Sequence, residues 1–261
     1  MTRYSLEDPE IRMRRTFLDD ICHSALAGDP EKYVKAAGKQ DDRLLKSVIL
    51  GRWNDWPIEW WVLDERSGNH ACKDSILLLS RYALYLCPFN EIEAATDNPF
   101  RGKNLPTTWK NSDIRYVLNS DFLTDCFNET ERSLIFSENV ITRDNPKYFT
   151  NGCQDVYDKV FLFSAEEALY YLRNDMVRKT DSIFRDYHPR PDPLPSDKKP
   201  EWIPFCWLRS PGEKDGYMTY INSVEPTDSV SKELNLEGAD ATTRGLIRPA
   251  MWVDRSVLTR I

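Results

Sequence analysis

The hydrophobic period of this chain changes character along its length, and that change constrains the fold more than any single motif. From Glu10 to Leu26 the apolar residues Ile11, Phe17, Leu18, Ile21, Cys22, Ala25 and Leu26 fall at helical spacing, and Gly28-Asp29-Pro30 stops the run. A second short helix fits Pro30 to Ala37, with Pro30 at a first helical position and Gly38 past the end. From Val48 onward the runs become short and β-rich. Val48-Ile49-Leu50 leads through Gly51 to Trp53 and Trp56, and Ile58-Glu59-Trp60-Trp61-Val62-Leu63 has strand length and composition. Ser75-Ile76-Leu77-Leu78-Leu79-Ser80 is apolar without alternation, the pattern of a strand buried on both faces. These runs read as sequential antiparallel partners.

Helical period returns between Trp109 and Phe127, where Ser112 can cap and Ile114, Val117, Leu118 and Phe122 form a stripe. Asp158 to Phe163 reads as a strand feeding Ser164-Ala165-Glu166-Glu167, a capping box that opens a helix to about Arg173. Phe205 to Ser210, Tyr217 to Ile221 and Leu246 to Val253 read as later strands, with a polar loop at 223–243. Between them, residues 176–205 hold 6 of the 16 prolines and predict a long exposed loop. The expected class is α+β: a mixed, largely antiparallel twisted sheet with two or more helices and an N-terminal helical extension. At about 150 residues per domain, the length corresponds to roughly 1.7 domains. That divides into a helical extension at 1–47, too small for its own core, one domain at 48–254 carrying the 176–205 insertion, and a tail at 255–261.

Charge narrows the partners. Lys+Arg 35 against Asp+Glu 42 leaves −7, which opposes binding to nucleic acid or anionic lipid. The first 47 residues are neutral, with a small basic cluster at Arg12-Met13-Arg14-Arg15. No window approaches the roughly 18 consecutive apolar residues of a membrane span, and acids occupy the place of a signal peptide's apolar stretch, so a cytoplasmic protein is expected. The six cysteines (Cys22, Cys72, Cys87, Cys126, Cys153, Cys206) contain no C-x-x-C pair, and His23, His70 and His188 are equally scattered. Reduced thiols are expected, with no metal and no cofactor.

Six ordered blocks carry a resemblance: Pro57-Ile58-Glu59-Trp60-Trp61-Val62-Leu63; Leu77-Leu78-Leu79-Ser80-Arg81-Tyr82-Ala83-Leu84; Thr108-Trp109-Lys110-Asn111-Ser112-Asp113-Ile114-Arg115 with Leu118-Asn119; Val160-Phe161-Leu162-Phe163-Ser164 with Glu166-Glu167-Ala168; Trp207-Leu208-Arg209-Ser210-Pro211-Gly212; and Ile247-Arg248-Pro249-Ala250. Together they resemble a bacterial family known only as a domain of unknown function. That family is in turn similar to the C-type-lectin-like fold of formylglycine-generating enzymes, which implies long loops presenting a surface. Those enzymes oxidise a substrate cysteine with a copper-binding cysteine pair. Here Cys206 has no later cysteine to pair with, so the resemblance implies the fold without the activity.

The candidate chemistry is thin. Cys206 lies between Phe205 and Trp207 rather than beside a cation, which suits a buried thiol better than a nucleophile. Arg115, Arg209 and Arg248 could converge on an anion, or could hold loop carbonyls and pair with acids such as Glu59 and Asp113. Glu59 or Asp113 could serve as acid or base, but no histidine lies in a block, and Glu167 already has a capping role. Of the tryptophans, one of Trp60 and Trp61 suits the core, and Trp53 or Trp56 on a loop could stack on a partner. The binding candidates are therefore Trp53, Trp56, Arg115, Arg209 and Arg248, with no catalytic set. The expectation is a non-catalytic protein-binding or assembly module, an accessory subunit of a bacterial complex, by analogy in a conflict or defence gene cluster. Its partner would dock on the N-terminal helices or the loops at 176–205 and 223–243. The alternatives are an enzyme derived from the formylglycine-generating fold, through Cys206 or a carboxylate, and a carbohydrate-binding lectin using Asp228, Asn235, Glu237 and Asp240 on calcium.

Overall fold

Three sheets share one core in the computed structural model, which describes residues 46–53, 55–66, 74–92, 95–173, 175–178, 205–222 and 233–259. The helices expected within residues 1–45, most of the Pro-rich insertion and residue Asp228 lie outside the described residues. The described part is α+β and largely antiparallel. The first sheet has the order β1-β2-β3-β11, from β1 (Lys46–Trp53), β2 (Trp56–Arg66), β3 (Ser75–Ser80) and β11 (Ala250–Asp254). The second runs β4-β10-β7-β8-β9, from β4 (Tyr85–Cys87), β7 (Phe205–Pro211), β8 (Tyr217–Asn222), β9 (Leu234–Asp240) and β10 (Gly245–Ile247). Its one parallel pairing joins β10 to β7 at Leu246 and Cys206. A small third sheet pairs β5 (Glu138–Thr142) with β6 (Cys153–Asp158).

Every residue of β3 is buried, as its unalternating composition predicts. It lies between β2 and β11, and full burial of each of its leucines contributes about 2 kcal/mol. Both Trp60 and Trp61 are buried, although neighbours in a strand face opposite ways. The sheet is covered on both sides here: Trp60 donates to the Leu50 carbonyl at 2.8 Å, and Trp61 lies under the Arg81 guanidinium.

Among the described residues five short helices cross between the strands: α1 (Asp113–Asn119), α2 (Asp121–Cys126), α3 (Glu129–Arg132), α4 (Ala165–Tyr171) and α5 (Asp175–Arg178). The Ser112 cap and the Ser164/Glu167 capping box form as the sequence predicts. The single helical run expected from Trp109 to Phe127 is instead a 3-10 turn followed by α1 and α2, broken at Ser120 (φ −119, ψ −92). Asn119 supplies the reason. Its side chain accepts from the N–H groups of Lys159 and Val160 and donates to the Val160 carbonyl, tying the end of α1 across the chain. The same bonds remove residues 159–160 from any ladder, so β6 stops at Asp158 and Phe161 keeps only an isolated bridge to Ala250.

Two further expectations are corrected. Residues 234–240 of the presumed 223–243 loop form β9, an edge strand whose Leu234 and Leu236 pack on the core. The presumed strand Leu246–Val253 is two strands in two sheets, because the chain switches sheets at Arg248-Pro249. The β3–β4 connection makes the same switch beside it, with Ser80 N–H donating to the Pro249 carbonyl and Leu84 N–H to Ile247. After β11, Arg255–Thr259 forms a 3-10 turn that buries Val257.

Candidate functional site

The edge of the first sheet carries a cleft, and a one-residue irregularity in β1 creates it. The register runs from Ile49 opposite Glu59 to Arg52 opposite Pro57, so Leu50 and Gly51 together stand opposite the single residue Ile58 in a bulge. Gly51 takes φ +74, and a Cβ there would meet Phe127 Cε1 at 2.6 Å and the Cys126 carbonyl at 2.7 Å. Only glycine suits both the left-handed backbone and the close approach. The bulge removes two backbone groups from the ladder, and both find partners. The Leu50 carbonyl accepts from the Trp60 indole, and the Gly51 N–H donates to Glu131 Oε1 at 3.2 Å. Glu131 is placed by the Asn128 capping box of α3, whose N-cap amide donates to its other oxygen at 2.9 Å.

Between this bulge and the α2–α3 corner opens a volume of about 760 Å³. Ile49, Leu50, Trp53, Pro57, Cys126 and Phe127 line it with apolar surface, and Arg52, Asp55, Asp125, Glu131 and Arg132 bring charge. Its size is that of an ordinary ligand or side-chain pocket. Gly51→Ala is expected to lower stability by about 2–3 kcal/mol through backbone strain and overpacking against Phe127. Urea unfolding would measure it, and a change under about 0.5 kcal/mol would show that the bulge relaxes.

Trp53 and Trp56 are not on a loop. They are paired residues closing the β1–β2 hairpin, beside Asp55 at φ +66. Trp53 packs on Tyr85 and Phe122, with ring centroids at 4.3 and 6.5 Å, and its remaining surface lines the cleft; Trp56 is 50% exposed. Ile49, also on the hairpin, is 63% exposed.

The three candidate arginines go to three different places. Arg115 holds Asp158 through Nε and Nη2 at 2.8–3.0 Å, and Asp158 also accepts from the Trp109 indole. Arg209, buried, forms a two-pronged pair with Glu167 and donates to the carbonyls of Leu162 and Ile141. Arg248 donates to the carbonyls of Ser80, Arg81, Val177 and Arg178, so its fork ties the two sheet-switching segments to α5. Burial lowers its pKa to about 10, with nearby Cys206 acting the other way.

The candidate acids are also spoken for. Asp113 accepts from the Ile92 N–H and from Asn98 at 2.6 Å, anchoring the loop before α1, and Glu59 pairs with Arg81 at 2.5 Å. Glu166 is buried on α4. Cys206 is buried in β7 and does not line the cleft. Cys87, Cys126, Cys153 and Cys206 are thiols rather than disulfides, while Cys22 and Cys72 lie outside the described residues. Burial pushes the Cys87 thiol up to about 12, only partly offset by Arg244. Of the calcium candidates, Asn235 accepts from the Gly238 N–H, Glu237 from the Tyr148 hydroxyl, and Asp240 from Thr242. No group of three potential metal ligands occurs among the described residues.

The residues that build the cleft were hidden in the sequence, although one signal was present. Asn128-Glu129-Thr130-Glu131 has capping-box spacing, and recognising it would have located α3. Nothing local marks Gly51 as the contact of Phe127.

The fold and cleft together define an α+β domain with a hairpin-edged recess. Residues 73–255 match the family described as a domain of unknown function, DUF6273, and the chain belongs to that family. The match begins after β2, so the cleft's strand wall precedes it. Neither a curated protein nor a solved structure matches the chain. Among the described residues, no helix is long and apolar enough to cross a membrane.

Proposed function

We propose that this protein is a protein-binding or assembly module, an accessory subunit of a bacterial complex, and that the β1–β2 hairpin with its cleft is one of its docking surfaces. The observation that carries this reading is a division of labour among the side chains. The arginines and acids that might have performed chemistry are engaged within the fold. Aromatic and aliphatic groups, by contrast, stand open to solvent: Trp56 and Ile49 at the hairpin, and Phe149, 80% exposed at φ +58, on the loop between β5 and β6. Exposed aromatics of this kind serve recognition better than turnover. The segments at 179–204 and 223–232 remain candidates for further docking contacts, as does the N-terminal extension. We further read the domain as C-type-lectin-like. Support comes from its last strand returning to pair with β3 and from the helices placed between its early and later strands.

The test is affinity capture from the source organism with the full-length chain, guided by proteins encoded beside it. A partner recovered in stoichiometric amount, and reduced about tenfold by Trp56→Ala, is the expected result. Failure to recover any stoichiometric partner overturns the reading.

A further inference from the structure

The strand wall of the cleft and the N-terminal extension share one property: both fall outside the family domain. Residues 1–72 precede the family match, and they hold β1, β2 and the amphipathic stripe of Glu10–Leu26 centred on Leu18, Ile21 and Cys22. The stripe needs an apolar surface to lie on, because an extension of this length is too small to build a core of its own. The cleft has such a surface. Ile49, Leu50, Pro57, Cys126 and Phe127 line it, and Ile49 is 63% exposed.

Chain connection brings the two together. The described chain starts at Lys46, which is exposed and opens β1, and Ile49, three residues on, already lines the cleft. From Leu26 to Lys46 the chain can span up to about 65 Å, against roughly 10 Å from Lys46 to Ile49 along the strand, so reach is no obstacle. Tethering makes the encounter intramolecular, and at an effective concentration near about 1 mM even a weak apolar contact is mostly formed. An untethered protein at micromolar concentration would need about a thousandfold higher affinity to hold the same surface. Charge does not oppose the approach either. The first 47 residues are neutral, and the cleft carries both signs, with Arg52 and Arg132 against Asp55, Asp125 and Glu131.

We infer that the apolar stripe of Glu10–Leu26 docks into the cleft of its own chain, which makes the N-terminal extension a tethered competitor of any partner that uses this surface. Its aliphatic and aromatic side chains lie against the apolar lining around Ile49 and Pro57, and its polar face stays toward water. The competition rests on the protein-binding reading above; the docking itself does not.

The test replaces Ile49 in the full-length chain by the photo-crosslinker benzoylphenylalanine and maps the adducts by mass spectrometry. The expected product has monomer mass and joins position 49 to residues 10–26. Leu18→Asp/Ile21→Asp, on the stripe, should lower its yield about tenfold. Thr16→Asp/His23→Asp adds as much negative charge to the opposite face of the helix and should keep the yield within about twofold. Adducts to another part of the chain, adducts of dimer mass, equal losses in the two variants, or no adduct overturn the inference. Capture of a stoichiometric partner that depends on Trp56 would then leave the protein-binding reading standing. The expected adduct without any captured partner upholds the docking and overturns the competition together with that reading.

Discussion

Replacing Arg248 by methionine is expected to lower the free energy of unfolding by about 4 kcal/mol or more. Methionine fills much of the same space but donates nothing. The carbonyls of Ser80, Arg81 and Val177 would each lose a charged donor, at about 1–3 kcal/mol apiece. These carbonyls belong to segments that leave one sheet for another or to α5, the buried helical turn with which the presumed exposed loop at 176–205 instead begins, where no ladder can satisfy them. Lysine should recover less than half of the loss, because one ammonium cannot span the partners of a five-donor fork. Urea unfolding with an unchanged slope is the measurement. A loss below about 1 kcal/mol would mean that water replaces the guanidinium and that Arg248 is not the staple of the two crossings.

Arg209→Ala is the second large expectation, at about 3–5 kcal/mol, since it leaves the Glu167 carboxylate without its cation in a largely buried setting. The loss spreads beyond the pair. Arg209 joins β7 to the Leu162 carbonyl before α4 and to the Ile141 carbonyl in β5, so one side chain links parts of two sheets and a helix start. Glu167→Gln retains a side-chain acceptor for the Ser164 cap while removing the charge. In a double-mutant cycle the two substitutions should lose clearly less together than the sum of their separate losses. Additive losses, within about 0.5 kcal/mol, would show that the two side chains act independently.

These two arginines show how far local sequence can be read. Their presence in apolar motifs was visible, and so was the choice between holding loop carbonyls and binding a ligand. Their partners were not, because Arg209 reaches Glu167 across 42 positions and Arg248 reaches Ser80 across 168. Arg115 pairs with Asp158 rather than with either acid that its neighbourhood suggested. The cleft was still less legible. Trp53 and Trp56 drew attention as aromatics, yet the hairpin that pairs them, the bulge at Gly51 and the role of Glu131 depend on register, and register is a relation between two strands.

What the sequence by itself determined is the set of elements whose cause is local: the fully apolar β3, the Ser112 cap, the Ser164/Glu167 box, and the antiparallel succession of the first three strands. Periodicity and capping act over a few residues, so they survive reading in one dimension. Tertiary structure alone decided where those elements end and which polar groups remain available. Asn119 cut a helix and a strand short by bonding across 40 positions, Arg248 occupied carbonyls at a sheet crossing, and the bulge at Gly51 turned its amide onto Glu131. The physical reason is that buried hydrogen-bonding groups must be satisfied by whatever the fold brings near.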